Sequence, residues 1–253
     1  MSVHVEVSGA GADLVLVHGW GLHGGLFDAL VPALAVKRRV HVVDLPGHGR
    51  SAPAAPGLRA CARAVERAVP ARAAWLGWSL GALVALRAAL DARVEVTRLV
   101  LVAATPRFVA APDWPHAQPR AVVDRFGAAL VGDFRKTVQD FLALQARGDE
   151  HARVQVRALK SRLFERGEPD ARALADGLDI LRDTDLRDEL DALAPPTLVL
   201  VGERDRMTPP AAARELAARA PRAGVEILAG AAHAPFLNDP AGFAARVLEF
   251  VDE

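Results

Sequence analysis

The chain has 253 residues and a mass of 26.9 kDa, with 51% hydrophobic and 25% charged residues, which fits one large globular domain or two small ones and excludes a disordered chain. Thirty-one Lys+Arg balance 31 Asp+Glu, so no whole-protein electrostatic hold on nucleic acid or on acidic membranes is expected. The single cysteine, Cys61, excludes a disulfide framework and a cysteine-rich metal site.

The first residues, Met1-Ser2-Val3-His4-Val5-Glu6, lack a basic stretch followed by an apolar one, so no signal peptide is expected. Apolar runs such as Leu99–Ala104 fall far short of the ~18–20 residues of a membrane span, and the expected location is the cytoplasm. In chain order, strands are predicted at Val3–Val7, Leu14–Val17, Val40–Val43, Ala74–Gly77, Leu99–Ala103, Thr197–Val201 and Val225–Leu228. Several are unbroken apolar runs, as in strands buried on both faces of a parallel sheet. Leu80–Leu90 and Ala211–Ala220 have helical composition. The alternation predicts an α/β fold, a mainly parallel central sheet flanked by helices.

From Arg107 to Asp191 no strand is predicted. The segment opens with Pro106, Pro112, Pro115 and Pro119 and continues as amphipathic helical sequence. It reads as a helical insertion at 107–191, with 1–106 and 192–253 as the core. Pro195-Pro196 is a stiff return to the sheet.

Gly77-Trp78-Ser79-Leu80-Gly81 lies between a predicted strand and a predicted helix. In that context a G-x-S-x-G string marks a tight turn that lifts the serine hydroxyl above the sheet. The turn also puts Ser79 at a helix N-terminus, where free N–H groups favour developing negative charge. A serine hydroxyl needs a base. Of eight histidines, His233 is the best placed, in a small-residue loop (GAAHAPF) just after the last predicted strand. The orienting acid is Asp205, shortly after Thr197–Val201, with Glu203 as the competitor. The order Ser79, Asp205, His233 is that of the α/β-hydrolase arrangement. A tetrahedral intermediate needs two N–H donors, expected from Leu80, after the serine, and from Trp20 in His18-Gly19-Trp20-Gly21. His18 is expected to brace that loop, and Asp44–Ser51 to form a fixed structural turn. No metal or organic cofactor is required by this chemistry.

From His151 to Arg166 there are five bases and one acid. Arg153, Arg157 and Lys160 are spaced i, i+4, i+7 and would share a helix face. A solvated face and a docking face for an acidic partner both account for that pattern.

Together these motifs resemble an α/β-hydrolase. LVHGWGL (16–22), DLPGHGRS (44–51), WLGWSLG (75–81), Asp113-Trp114-Pro115, FLALQ (141–145), RALK (157–160), GLDIL (177–181) and HAPF (233–236) resemble, more narrowly, the pimeloyl-[acyl-carrier protein] methyl ester esterases of biotin synthesis. The resemblance spans nearly the whole chain. It implies hydrolysis of the methyl ester of pimeloyl-carrier protein, a helical cap inserted after the sixth strand, and no cofactor. It implies a substrate channel lined by Trp20, Ser79, Leu80, Phe141, Leu142, Ala143, Leu144, Gln145 and His233. It implies that an acyl-carrier protein docks on Lys136, Arg153 and Arg157, with Asp140 standing where a base would be expected; Lys160 joins this expected docking face by its helical spacing. Small esters would also be turned over, nucleic acid and membranes are not partners, and the chain is expected to be a monomer. A short-chain carboxylesterase, an enol-lactonase, a C–C bond hydrolase and a ligand receptor on a hydrolase scaffold share these motifs.

Overall fold

The computed structural model of the chain describes residues 2–145 and 152–253. Among them, one seven-stranded sheet has the order β1-β3-β2-β4-β5-β6-β7. The strands are β1 (Val5–Ser8), β2 (Ala12–Val17), β3 (Arg38–Val43), β4 (Arg72–Trp78), β5 (Glu95–Val102), β6 (Thr197–Gly202) and β7 (Ala223–Leu228). Only β1 is antiparallel to its neighbour; every other pair is parallel. The expected α/β architecture is therefore found, with one correction. The helical insertion leaves the sheet from the fifth strand and not from a sixth. Three residues separate β1 from β2, too few to build another strand.

Leu14–Val17 and Leu99–Val102 are completely buried, which requires cover on both faces of the sheet. Helix α3 (Leu80–Asp91) and helix α9 (Pro240–Asp252) both pack on β5. Helix α2 (Leu58–Glu66) packs on α3, α1 (Val31–Leu34) on α9, and α8 (Pro210–Arg219) on β6 and β7. Burying each Leu or Val of these layers is worth about 1.5–3 kcal/mol. Arg87, in the buried α3, is held by Asp91 at 2.9 Å and Glu189 at 2.8 Å.

The register brings the chemistry to one edge. Val17 pairs with Gly77, Trp78 with Val102, Val102 with Leu200, and Gly202 with Leu228. The loops after β2, β4, β6 and β7 thus leave the same carboxyl edge, where open α/β sheets build their sites.

Between β5 and β6 lie α4 (Arg120–Gly132), α5 (Phe134–Gln145), α6 (Ala152–Arg162) and α7 (Ala171–Asp183). The two ends of the insertion are fastened together. Arg107 bridges Asp185 in the backbone and by an ion pair at 2.5 Å, and Leu186 N–H donates to Pro106 O at 3.0 Å. Helix α7 starts at Asp170, whose carboxylate accepts from the N–H groups of Arg172 and Ala173. Its buried stripe, including Leu174, Gly177 and Leu181, faces the core loops. A Cβ at Gly47 would meet the Ala173 Cβ at 2.3 Å, which is how closely α7 seats on the loop after β3.

Candidate active site

Ser79 stands between β4 and α3 with φ 56° and ψ −117°, a left-handed conformation that costs about 1–3 kcal/mol for a non-glycine residue. Its N–H donates to Val102 O at 3.0 Å. The flanking glycines permit the turn. A Cβ at Gly77 would lie 2.3 Å from Gly81 O, and a Cβ at Gly81 would lie 2.2 Å from Val17 O and 2.4 Å from His18 O.

The structure brings Ser79, His233 and Asp205 together. Ser79 Oγ is 2.9 Å from His233 Nε2, and His233 Nδ1 is 2.8 Å from Asp205 Oδ2. Asp205 Oδ1 accepts from the N–H groups of Met207 at 2.8 Å and Thr208 at 3.0 Å, and Oδ2 accepts from Thr208 Oγ1 at 2.7 Å. With acceptor-only oxygens on that side, the ring proton sits on Nδ1 and Nε2 faces the serine as acceptor. Trp78 Nε1 donates to His233 O at 2.7 Å. All three residues are buried, and His233 is 0% exposed. Glu203 is exposed and accepts from Gly230 N–H at 3.0 Å, so it turns away from the histidine.

The loop after β2 lies against the serine. A Cβ at Gly19 would come within 3.2 Å of the Ser79 Cβ. His18 Nδ1–H donates to Gly19 O at 2.8 Å, and His18 Nε2 accepts from Leu45 N–H at 2.8 Å. Burial, with the neighbouring His48 ring, pushes His18 down to about 3, so it is a neutral brace. Burial also lowers His48 and His23. In the Asp44–Ser51 turn, Asp44 accepts from Gly24 N–H at 2.6 Å and Arg50 N–H at 3.0 Å. Burial opposes its ionisation, but the Arg50 N–H and its other partners hold the carboxyl below the usual range. Leu80 opens α3, so its N–H has no partner one turn back. Cys61 is buried, and burial with Asp176 pushes its thiol up to about 12, which leaves it unreactive.

Trp20 is completely buried, donates from Nε1 to Leu174 O at 2.8 Å and packs edge-on against Phe141 at 4.8 Å. Phe141 and Leu142 are buried and Leu144 half-buried. Ala143 is exposed on the outer side of α5, so it does not line an internal channel. Helical rotation of about 100° per residue turns it away from Phe141 and Leu142. The Gln145 side chain lies outside the described part. Phe126, Phe141, Leu144, Leu178, Leu181 and Met207, among others, close around an apolar space of only about 10 Å³. Met207 joins it to the Asp205 loop.

Of the four residues expected to face a carrier, Arg157 and Lys160 are exposed on α6, and the Arg153 side chain lies outside the described part. Lys136 is exposed but bonded to Asp140 at 2.6 Å across one turn of α5. The departure at Asp140 thus also neutralises Lys136.

Three contributors were missed in sequence: Thr208, Trp78 and Leu174. Asp205-x-x-Thr208 is a local side-chain-to-backbone turn, legible from spacing. The other two act across the fold, with no local signal.

The sequence pattern of the alpha/beta hydrolase family matches residues 14–246. The pimeloyl-[acyl-carrier protein] methyl ester esterase of Stenotrophomonas maltophilia (strain K279a) is 47% identical over 251 residues, covering 98% of this chain and 96% of that one. The protein of the same name from Xanthomonas campestris pv. campestris (strain B100) is 47% identical over 253 residues, with 98% of each chain covered. Among solved structures, an esterase from Exiguobacterium antarcticum superposes with a TM-score of 0.86 at 22% identity, over 99% of this chain and 96% of the other. A serine on a strand-to-helix turn, an acid and a base on later loops of one sheet edge and a family match across the chain agree: the protein belongs to the alpha/beta hydrolase family.

Proposed function

We propose that the chain is a serine carboxylesterase whose substrate is the methyl ester of pimeloyl-[acyl-carrier protein], with Ser79, His233 and Asp205 as its catalytic residues. The observation that carries this reading is the unbroken hydrogen-bond line from Ser79 Oγ through both nitrogens of His233 to Asp205. The substrate is taken from the names of the relatives at 47% identity.

His233 Nε2 takes the Ser79 proton as Oγ attacks the ester carbonyl. Asp205 holds the ring and stabilises its cation. The N–H groups of Trp20 and Leu80 receive the oxyanion, each such donor being worth about 3–4 kcal/mol of barrier. The tetrahedral adduct collapses, and His233 protonates the departing methoxide. Water, deprotonated by His233, then hydrolyses the acyl-enzyme and releases the free carboxyl. Residues 107–191 act as a cap over the core formed by 1–106 and 192–253. The methylene chain packs against apolar side chains of the insertion, Phe141 and Leu144 among them. The acidic carrier docks on the basic face of α6, around Arg157 and Lys160. No described helix is long and apolar enough to cross a membrane, and the reading includes a cytoplasmic enzyme.

The test compares kcat/KM for pimeloyl-carrier methyl ester with that for a free short-chain methyl ester, in wild type and Ser79→Ala. The expected result is a strong preference for the carrier-linked ester and loss of both activities in the variant. Equal rates on both esters would indicate a broad carboxylesterase; substantial turnover by Ser79→Ala would require another nucleophile.

A further inference from the structure

A charged cluster joins the insertion to the core on the side of the oxyanion loop, and the reaction above gives it no part. Arg166 lies between α6 and α7, with its side chain 10% exposed. Its Nη2 donates to Glu6 Oε2 at 2.6 Å, and its Nη1 lies 3.4 Å from Asp44 Oδ1. Arg162 Nη1 donates to Gly25 O at 2.6 Å and to Asp28 Oδ2 at 2.7 Å. His23 Nε2–H donates to Arg162 O at 2.6 Å, while its Nδ1 accepts from Gly25 N–H. A Cβ at Gly25 would lie 3.1 Å from Arg166 Nε, so the guanidinium rests directly on the backbone of the loop.

That loop carries glycines at 19, 21, 24 and 25 and needs outside restraint to keep one conformation. The restraint is traceable bond by bond. Arg166 faces Asp44, Asp44 accepts from Gly24 N–H, Leu45 N–H donates to His18, and His18 donates to the carbonyl of Gly19, whose backbone lies beside the Ser79 Cβ. Asp44 is completely buried, and a buried carboxylate is costly unless paired.

We propose that Arg166 is a positioning residue: from the insertion it locks the Gly19–Gly25 loop, and with it the Trp20 N–H, in the geometry that receives the oxyanion. The proposal rests on the esterase reading. Hydrolytic geometry would then depend on the seating of the insertion and not on the core alone.

The experiment measures kcat and KM with p-nitrophenyl butyrate, and inhibition by an alkyl trifluoromethyl ketone that forms a tetrahedral adduct with Ser79. Wild type, Arg166→Gln and Arg166→Lys are compared at matched folded fraction. Arg166→Gln is expected to lower kcat about tenfold, part of the effect of losing a whole donor. KM should stay within about twofold, and the ketone should weaken by the same factor as kcat/KM. Arg166→Lys should restore about half of the logarithmic loss, because it keeps the charge without the fork. If Arg166→Gln does not fold, Glu6→Gln, which releases the guanidinium from its nearest partner, should give the same pattern at smaller size. Unchanged kcat and ketone affinity in a folded variant, or a rise in KM alone, would overturn the proposal. A wild type that neither turns over the ester nor binds the ketone would instead overturn the esterase reading beneath it.

Discussion

The indole of Trp78 donates to the backbone carbonyl of His233 at 2.7 Å, across 155 residues of sequence. The residue before the serine therefore holds the loop of the base. Its ring also packs edge-on against Phe236 at 5.4 Å. Trp78→Phe keeps an aromatic ring but shrinks a buried side chain and leaves a buried carbonyl unpaired, the last alone costing about 1–3 kcal/mol. The expected outcome is a Tm lowered by several degrees and a kcat reduced about tenfold, since small misplacements of the base are costly. Thermal melts and nitrophenyl ester kinetics check both.

Thr208 controls the acid. Its N–H and hydroxyl both bind the Asp205 carboxylate. Thr208→Val removes one donor and leaves the shape. It should lower kcat about threefold to tenfold with KM unchanged, a part of the about 1.5–3 kcal/mol that a hydrogen bond to a charged group contributes. A change confined to KM would mean that Thr208 contacts substrate instead.

The buried histidines make stability depend on pH. His18, His23 and His48 are all held below the ordinary histidine value of 6.5, His18 at about 3. The unfolded chain therefore binds more protons than the folded one below about pH 6.5. Their contribution is fully present above that pH and is lost as pH falls towards 3. A histidine whose proton affinity drops tenfold on folding contributes about 1.4 kcal/mol. Asp185, which its Arg187 hydrogen bond holds at about 2 despite burial, adds a further loss only below the ordinary carboxylate range. The urea midpoint should fall steadily from pH 7 to pH 4, and His48→Gln should make the slope shallower. A midpoint flat from pH 7 to 5 would contradict this.

Docking of the carrier should be electrostatic. Arg153→Glu with Arg157→Glu is expected to lower kcat/KM for carrier-linked ester about tenfold at low salt and to spare nitrophenyl esters. The wild-type advantage should shrink as salt rises. Asp140→Asn releases Lys136 from its 2.6 Å partner and should raise carrier turnover about twofold, the range of an exposed ion pair. Equal losses on both substrates in the double variant would point to a folding defect.

Some of this geometry was readable from residue order alone. The turn at Ser79 has a local cause, the two glycines; Asp205 follows the apolar run Thr197–Val201, and His233 follows the short strand at Val225–Leu228. The side of α5 was misjudged at Ala143 because FLALQ was taken as a block, without its helical rotation. The five strands ahead of the insertion were read correctly; only the cap position implied by the resemblance, after a sixth strand, was wrong. Arg166, Trp78 and Leu174 were illegible for a different reason. Their partners lie 122, 155 and 154 residues away, and nothing in the neighbouring sequence encodes such a pairing.

The crowding of Gly77 and Gly81 against neighbouring backbone has a practical consequence for redesign. No side chain of any kind fits at either position, so the reacting turn offers a protein engineer nothing to vary. Apolar side chains between α4, α5 and α7, such as Phe126 and Leu181, carry no such backbone restriction, so a library that probes acyl preference belongs there.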